Sequence, residues 1–116
     1  MSNVLEVVVK SIDDKLAKDI VVLDMEGISP ILDHYVICHG TSDRQIKAIA
    51  QSAKKDAEVR GINVEKVEGL DSKGWVLVDF GDVVLHVFSE EERFNYHLEK
   101  LWGEVPRIDI SKYIEQ

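Results

Sequence analysis

The chain has 116 residues, of which 45% are hydrophobic and 31% charged, and a formal net charge of −8. That is enough for one domain with an ordinary core. It excludes a disordered tail protein, a collagen-like chain and a membrane-spanning helix: the longest apolar runs, Ile20–Leu23, Tyr35–Cys38 and Trp75–Val78, are four residues each, where a span needs about 20.

The charge is uneven. Residues 1–33 carry −4, residues 34–63 carry +2 and residues 64–116 carry −6. Phosphates must be met by clustered Lys and Arg, so sequence-specific or broad nucleic-acid binding is not expected. An acidic C-terminal half suits a basic protein partner; the plainer reading is that −8 serves solubility. The single cysteine, Cys38, excludes an intramolecular disulfide and suits a reducing compartment. The N-terminus has neither a basic start with a long apolar stretch nor an Arg-rich, acid-poor character, so a cytoplasmic location is expected.

In chain order, Leu5, Val8 or Val9, Ile12 and Leu16 recur at helical steps and predict a helix over 4–17. The Val7–Val9 run weakens that pattern, because β-branched residues favour strands. Ile20–Leu23 is a short buried strand. Residues 25–32 hold Gly27, Ser29 and Pro30 and read as loop. Tyr35–Cys38 is a second strand ending at Gly40. Ser42 and Gln45 form a capping box before a helix whose apolar face is Ile46, Ile49, Ala50, Ala53 and Ala57. Gly61 stands where a C-terminal cap belongs. Ile62–Val67 alternates as a further strand, expected to run parallel to Tyr35–Cys38.

Trp75–Phe80 and Val83–Phe88 are two strong strands joined by the two-residue turn Gly81-Asp82. The turn fixes the register, pairing Asp79 with Val84, Leu77 with His86 and Trp75 with Phe88. One hairpin face is then wholly apolar (Val76, Val78, Phe80, Val83, Leu85, Val87) and must be core. The other carries Trp75, Leu77, Asp79, Val84, His86 and Phe88. Ser89 and Glu92 cap a last helix expected to bury Phe94, Leu98 and Leu101, with Arg93, Tyr96 and Lys100 on its opposite stripe. It is expected to stop near Gly103, with 104–116 a loosely attached tail of one 1–116 domain. The elements together predict an α/β fold with a mixed sheet and helices on both faces.

The second hairpin face admits two readings. A helix covers it and Asp79 satisfies a buried His86, or part of it is open and binds a protein, with Trp75 as an anchor and a charge fixing orientation. Catalysis by a His86–Asp79 pair lacks a nucleophile. A metal site is not expected: alternation sets His34 and Cys38 on one side of their strand and His39 on the other. Gly40-Thr41-Ser42 before a helix could hold an anion and is similar to the entrance of nucleotidyltransferases, but the paired acids that hold Mg²⁺ in those enzymes are absent from the expected places.

The hairpin run Gly74 to Phe88 and its continuation Ser89 to Trp102 resemble the signature of the ribosomal silencing factors, the Iojap/RsfS family. Asp19–Asp24 and the Gly40-Thr41-Ser42 turn match as well, so the resemblance extends from about Val4 to Trp102. It implies a single domain with a five-stranded mixed sheet flanked by helices, nucleotidyltransferase-like without an active site. It implies a translational repressor, not an enzyme, with no cofactor. Such a repressor binds the large ribosomal subunit through its ribosomal protein fourteen, at the intersubunit face, and blocks joining with the small subunit. On that reading Trp75, Leu77, Asp79, His86, Arg93 and Tyr96 bind the partner, with Trp75 and Tyr96 as apolar anchors, Asp79 facing a cation and His86 orienting Asp79. An exposed aromatic hairpin also suits a homodimer. Two alternatives stay open: a large-subunit assembly or maturation factor, and a nucleotide-binding enzyme.

Overall fold

The computed structural model describes residues 4–71, 74–96 and 105–114. Helix α1 (Val4–Asp14) leads into β1 (Lys18–Asp24) and β2 (His34–Gly40). Helix α2 (Asp43–Val59) follows, then β3 (Lys66–Glu68), β4 (Trp75–Asp79), β5 (Val83–Ser89) and α3 (Glu90–Tyr96). The strands form one five-stranded sheet in the order β1-β2-β5-β4-β3. The pairs β1–β2, β4–β5 and β3–β4 are antiparallel, and β2–β5 is parallel. The sheet is therefore mixed, as expected. The strands β2 and β3 run in the same direction, but they are not neighbours, because the hairpin inserts between them. No helix among the described residues is long and apolar enough to cross a membrane.

The hairpin register is the one the two-residue turn dictates: Trp75 opposite Phe88, Leu77 opposite His86, Asp79 opposite Val84. The Phe80 N–H reaches the Val83 carbonyl at 2.8 Å to close the turn.

Both long helices cover the same face of the sheet. Val8, Val9 and Ile12 of α1 and Ile46, Ile49, Ala50, Ala53 and Ala57 of α2 pack on Val22, Val36, Cys38, Val76, Val78, Leu85 and Val87. The two long helices are thus not divided between the two faces, while α3 packs against β5 and β2. The valine run of α1 is wholly buried instead of presenting one residue, since both the sheet and α2 border this helix. The opposite face holds a smaller cluster: Leu23, Met25, Leu32, Ile37 and Phe88, with Val105 packed on it.

The helices α1 and α2 stop in the same way. In α2, Ile62 N–H bonds to the Ala57 carbonyl and Gly61 N–H to the Glu58 carbonyl, with Gly61 at φ +79°. In α1, Ala17 N–H bonds to the Ile12 carbonyl and Leu16 N–H to the Asp13 carbonyl, with Leu16 at φ +65°. Leu16 thus lies outside the helix and is 69% exposed, contrary to its expected place on the apolar stripe. The expected strand over 62–67 shortens to β3, three residues at the sheet edge.

The loose tail expected from 104 onward is not what residues 105–114 show. The Ile108 N–H bonds to the Val22 carbonyl, Asp24 N–H bonds to the Pro106 carbonyl, and Arg107 bridges Leu23. Ile110 is buried in the main core. The segment completes the hydrogen bonding of β1, an edge strand that would otherwise be open.

Candidate functional site

Pairing across the five strands builds the face opposite the two long helices row by row. One row is His39, Phe88 and Trp75; the next is Val21, Ile37, His86, Leu77 and Glu68; the third is Leu23, Tyr35, Val84, Asp79 and Lys66. Trp75, Leu77, Asp79, Val84 and Tyr35 are half-buried, while His86 and Phe88 are buried. The parallel neighbour β2 therefore adds Tyr35 and His39 to the hairpin. Sequence reasoning missed both, because only knowledge of which strand lies beside β5 brings them in.

Aromatic contacts hold the centre. The Trp75 ring stacks on Phe88 with centroids 5.0 Å apart, and the Tyr35 and His86 rings lie 5.2 Å apart. The Trp75 indole N–H donates to His86 Nδ1 at 3.1 Å. Since indole is only a donor, Nδ1 is the acceptor and the imidazole proton sits on Nε2. Burial pushes the His86 pKa down to about 4, which keeps the ring neutral. Its Nε2 is buried and meets no hydrogen-bonding partner among the described residues.

Two expectations about Asp79 change accordingly. Asp79 neither satisfies His86 nor is oriented by it. Its Oδ1 accepts the Gly81 N–H at 2.8 Å, so this carboxylate braces the hairpin turn. That bond leaves the second oxygen to meet other groups. Next to Trp75, the half-buried Leu77 and the edge residues Glu68 and Gly69 line a shallow groove of about 330 Å³.

Arg93 is drawn to the same face but two strands away from Trp75. Its guanidinium lies 3.0 Å from His39 Nδ1 and 3.3 Å from the Lys18 carbonyl, to both of which it donates. It ties α3 across β2 and β1. Phe94, expected to be buried, is 72% exposed. Tyr96 is the last residue of α3, and its side chain lies outside the described residues, as do Leu98, Lys100, Leu101 and Gly103. Gly74 positions the start of β4 against α3. It has φ +95°, its carbonyl accepts from Ser89 N–H at 2.8 Å, and a Cβ there would meet Glu92 Cγ at 2.6 Å. Ser89 Oγ in turn accepts the Glu92 N–H at 3.0 Å, the expected cap.

At the start of α2, Ser42 Oγ accepts the Gln45 N–H and Gln45 Oε1 accepts the Thr41 N–H. Gln45 Nε2 also donates to the carbonyls of Lys15 and Leu16. These donors are thus engaged within the chain, and Asp43, Glu90 and Glu91 border the hollow beside them, a setting that repels anions. Burial pushes the Cys38 thiol up to about 12, so it stays protonated. Asp24, Glu26 and His34 bring three ligand atoms within 4.8 Å of one another. The register pair Asp24–His34 creates that grouping, and Glu26 is exposed.

The family model described as "Ribosomal silencing factor during starvation" matches residues 1–116. The chain belongs to the ribosomal silencing factor family. It is 53% identical over 109 residues to the ribosomal silencing factor RsfS of Bacillus subtilis, covering 94% of this chain and 92% of that one. A crystal structure of a Bacillus halodurans protein has the same fold, with a TM-score of 0.83 at 45% identity, covering 94% of this chain and 99% of that one. A more distant relative, 34% identical over 101 residues, is the mouse protein named "Mitochondrial assembly of ribosomal large subunit protein 1"; the match covers 84% of this chain and 44% of that one. Membership in the silencing factor family gives the chain a ribosome-related role in translation.

Proposed function

We propose that this chain represses translation by docking the sheet face opposite the two long helices onto the large ribosomal subunit, through ribosomal protein fourteen, where its bulk blocks joining of the small subunit. One observation carries the reading. Trp75 and Leu77 stand half-buried beside a groove on the face that the two long helices leave open. Tryptophan is among the residues most enriched at the energetic centre of protein interfaces. The net charge of −8 favours a basic partner, and Asp79 offers a carboxylate at the rim of the anchor. No chemical step is needed.

Co-sedimentation with isolated large and small subunits, and with the two mixed, tests this. Binding to large subunits with fewer joined ribosomes is the expected result, weakened at least tenfold by Trp75→Ala in a variant of unchanged circular dichroism. Failure to bind either subunit overturns it. The name of the mouse relative supports a second reading, a role in assembly of the large subunit. Recovery of the protein only on immature particles would favour that reading over repression.

A further inference from the structure

We infer that His86 is a positioning residue for docking: buried beneath the face, it holds the Trp75 indole in its binding orientation and does not itself contact the partner. This rests on the docking reading above. His86 is an anomaly in its setting: it is only 6% exposed, yet its Nε2–H is buried without a partner among the described residues. A buried unsatisfied donor is destabilising, and an aromatic hydrocarbon would fill the same space without that penalty. Phe88, two residues on along the same face of β5, is such a filling and is fully buried.

What a histidine adds over a phenylalanine here is one acceptor, Nδ1, and that atom is the one the Trp75 indole N–H reaches at 3.1 Å. The bond and the ring stack act together. Phe88 lies against the indole plane, and Nδ1 fixes its rotation within that plane. Trp75 thereby borders the groove with Leu77 in one orientation before any partner arrives. The ring stays an acceptor throughout the physiological range because burial keeps it neutral. An anchor ordered in advance loses less side-chain freedom on binding, and the cost avoided for one ordered side chain, about 0.5–1.5 kcal/mol, corresponds to about two- to twelvefold in affinity.

The test is a double-mutant cycle on large-subunit affinity using Trp75→Phe, His86→Phe and the pair. Trp75→Phe keeps an aromatic ring but removes the N–H; His86→Phe keeps a ring but removes the acceptor. Each single change is expected to weaken binding about three- to tenfold, and the double variant no more than Trp75→Phe alone. Strictly additive losses, or wild-type affinity for His86→Phe, overturn the inference. His86→Asn, whose amide oxygen can stand near the place of Nδ1, is expected to keep affinity within about twofold of wild type and to retain a Trp75 indole proton resonance protected from exchange. Loss of that protection in His86→Asn together with full affinity also overturns it. If His86→Phe does not fold, unchanged affinity of Trp75→Phe is enough to reject the role of His86. Trp75→Ala separates the two levels: wild-type binding by that variant removes the docking reading itself, whereas weakened Trp75→Ala with unaffected His86→Phe removes only the role of His86.

Discussion

A buried imidazole with a lowered pKa makes stability depend on acid, and the sign follows from which state takes up the proton first. His86 has an ordinary value of 6.5 when unfolded and about 4 when folded. Above pH 6.5 neither state is charged. Between 6.5 and 4 the unfolded chain gains a proton that the folded chain refuses, so stability falls through this window and levels off below it. The difference amounts to about 3 kcal/mol. Urea unfolding of wild type and His86→Phe at pH 7 and at pH 4 should therefore show wild type losing about 3 kcal/mol more than the variant, the comparison cancelling the carboxylates common to both. An equal loss in the two proteins would mean that the ring is charged or solvated in the native state. Cys38 supplies a second check at this scale. Fully buried and with its thiol pushed up to about 12, it should resist iodoacetamide in the native protein and react within minutes in urea. Ready alkylation without denaturant would place it outside the core.

At the level of elements, the two long helices end in the same hydrogen-bond pattern but with different residues at the left-handed position. Gly61 takes φ +79° at no steric cost, whereas Leu16 takes φ +65° with a Cβ to accommodate. Leu16 is 69% exposed, so little packing is lost if it is replaced. Leu16→Gly is expected to raise stability by about 0.5–1 kcal/mol in urea unfolding, and a loss of that size would show that the Leu16 side chain contributes contacts that outweigh the strain. Gly74→Ala should act in the opposite sense, by about 1–3 kcal/mol, because φ +95° and the approach of Glu92 Cγ both oppose a Cβ. These stops also show how far sequence alone reaches. Gly61 is legible because glycine announces a positive φ, while Leu16 continues the apolar period of α1 and so hides the end of its helix. The hairpin register is legible because a two-residue turn leaves no freedom. The place of β2 beside β5 is not, since nothing in either strand names its non-local neighbour. Tyr35, His39 and the tether of Arg93 to β2 therefore enter the site only through the folded sheet. Asp79 illustrates the other limit: diagonal proximity to His86 suggests a pair, but the nearer Gly81 N–H claims the carboxylate.

Over the whole molecule, the segregation of layers matters more than any single contact. The two helices seal one face of the sheet with most of the core, so the hairpin's second face can remain partly open without endangering the fold. The segment 105–114 belongs to the same division. It hydrogen-bonds along β1, and Ile108, Ile110, Tyr113 and Ile114 pack on the main core while Val105 packs on the smaller cluster of the opposite face. Removing it uncovers an edge strand and takes Ile110, which is only 8% accessible, out of the main core. Burial of one large aliphatic side chain contributes about 1.5–3 kcal/mol, and the lost backbone bonds to Val22 and Asp24 add to it. A chain ending at residue 104 is therefore expected to be at least about 3 kcal/mol less stable in urea unfolding. It should also tend to associate through the bared edge of β1, seen as a rise in sedimentation coefficient with concentration. Its affinity for large subunits at a temperature where it is still folded should stay within about threefold of the full chain, because the Trp75 groove is lined from β4, the end of β3 and Gly69. Unchanged stability would show that the segment only rests on the domain. A large loss of affinity in a folded truncation would instead place the docking surface over β1 and the segment beside it.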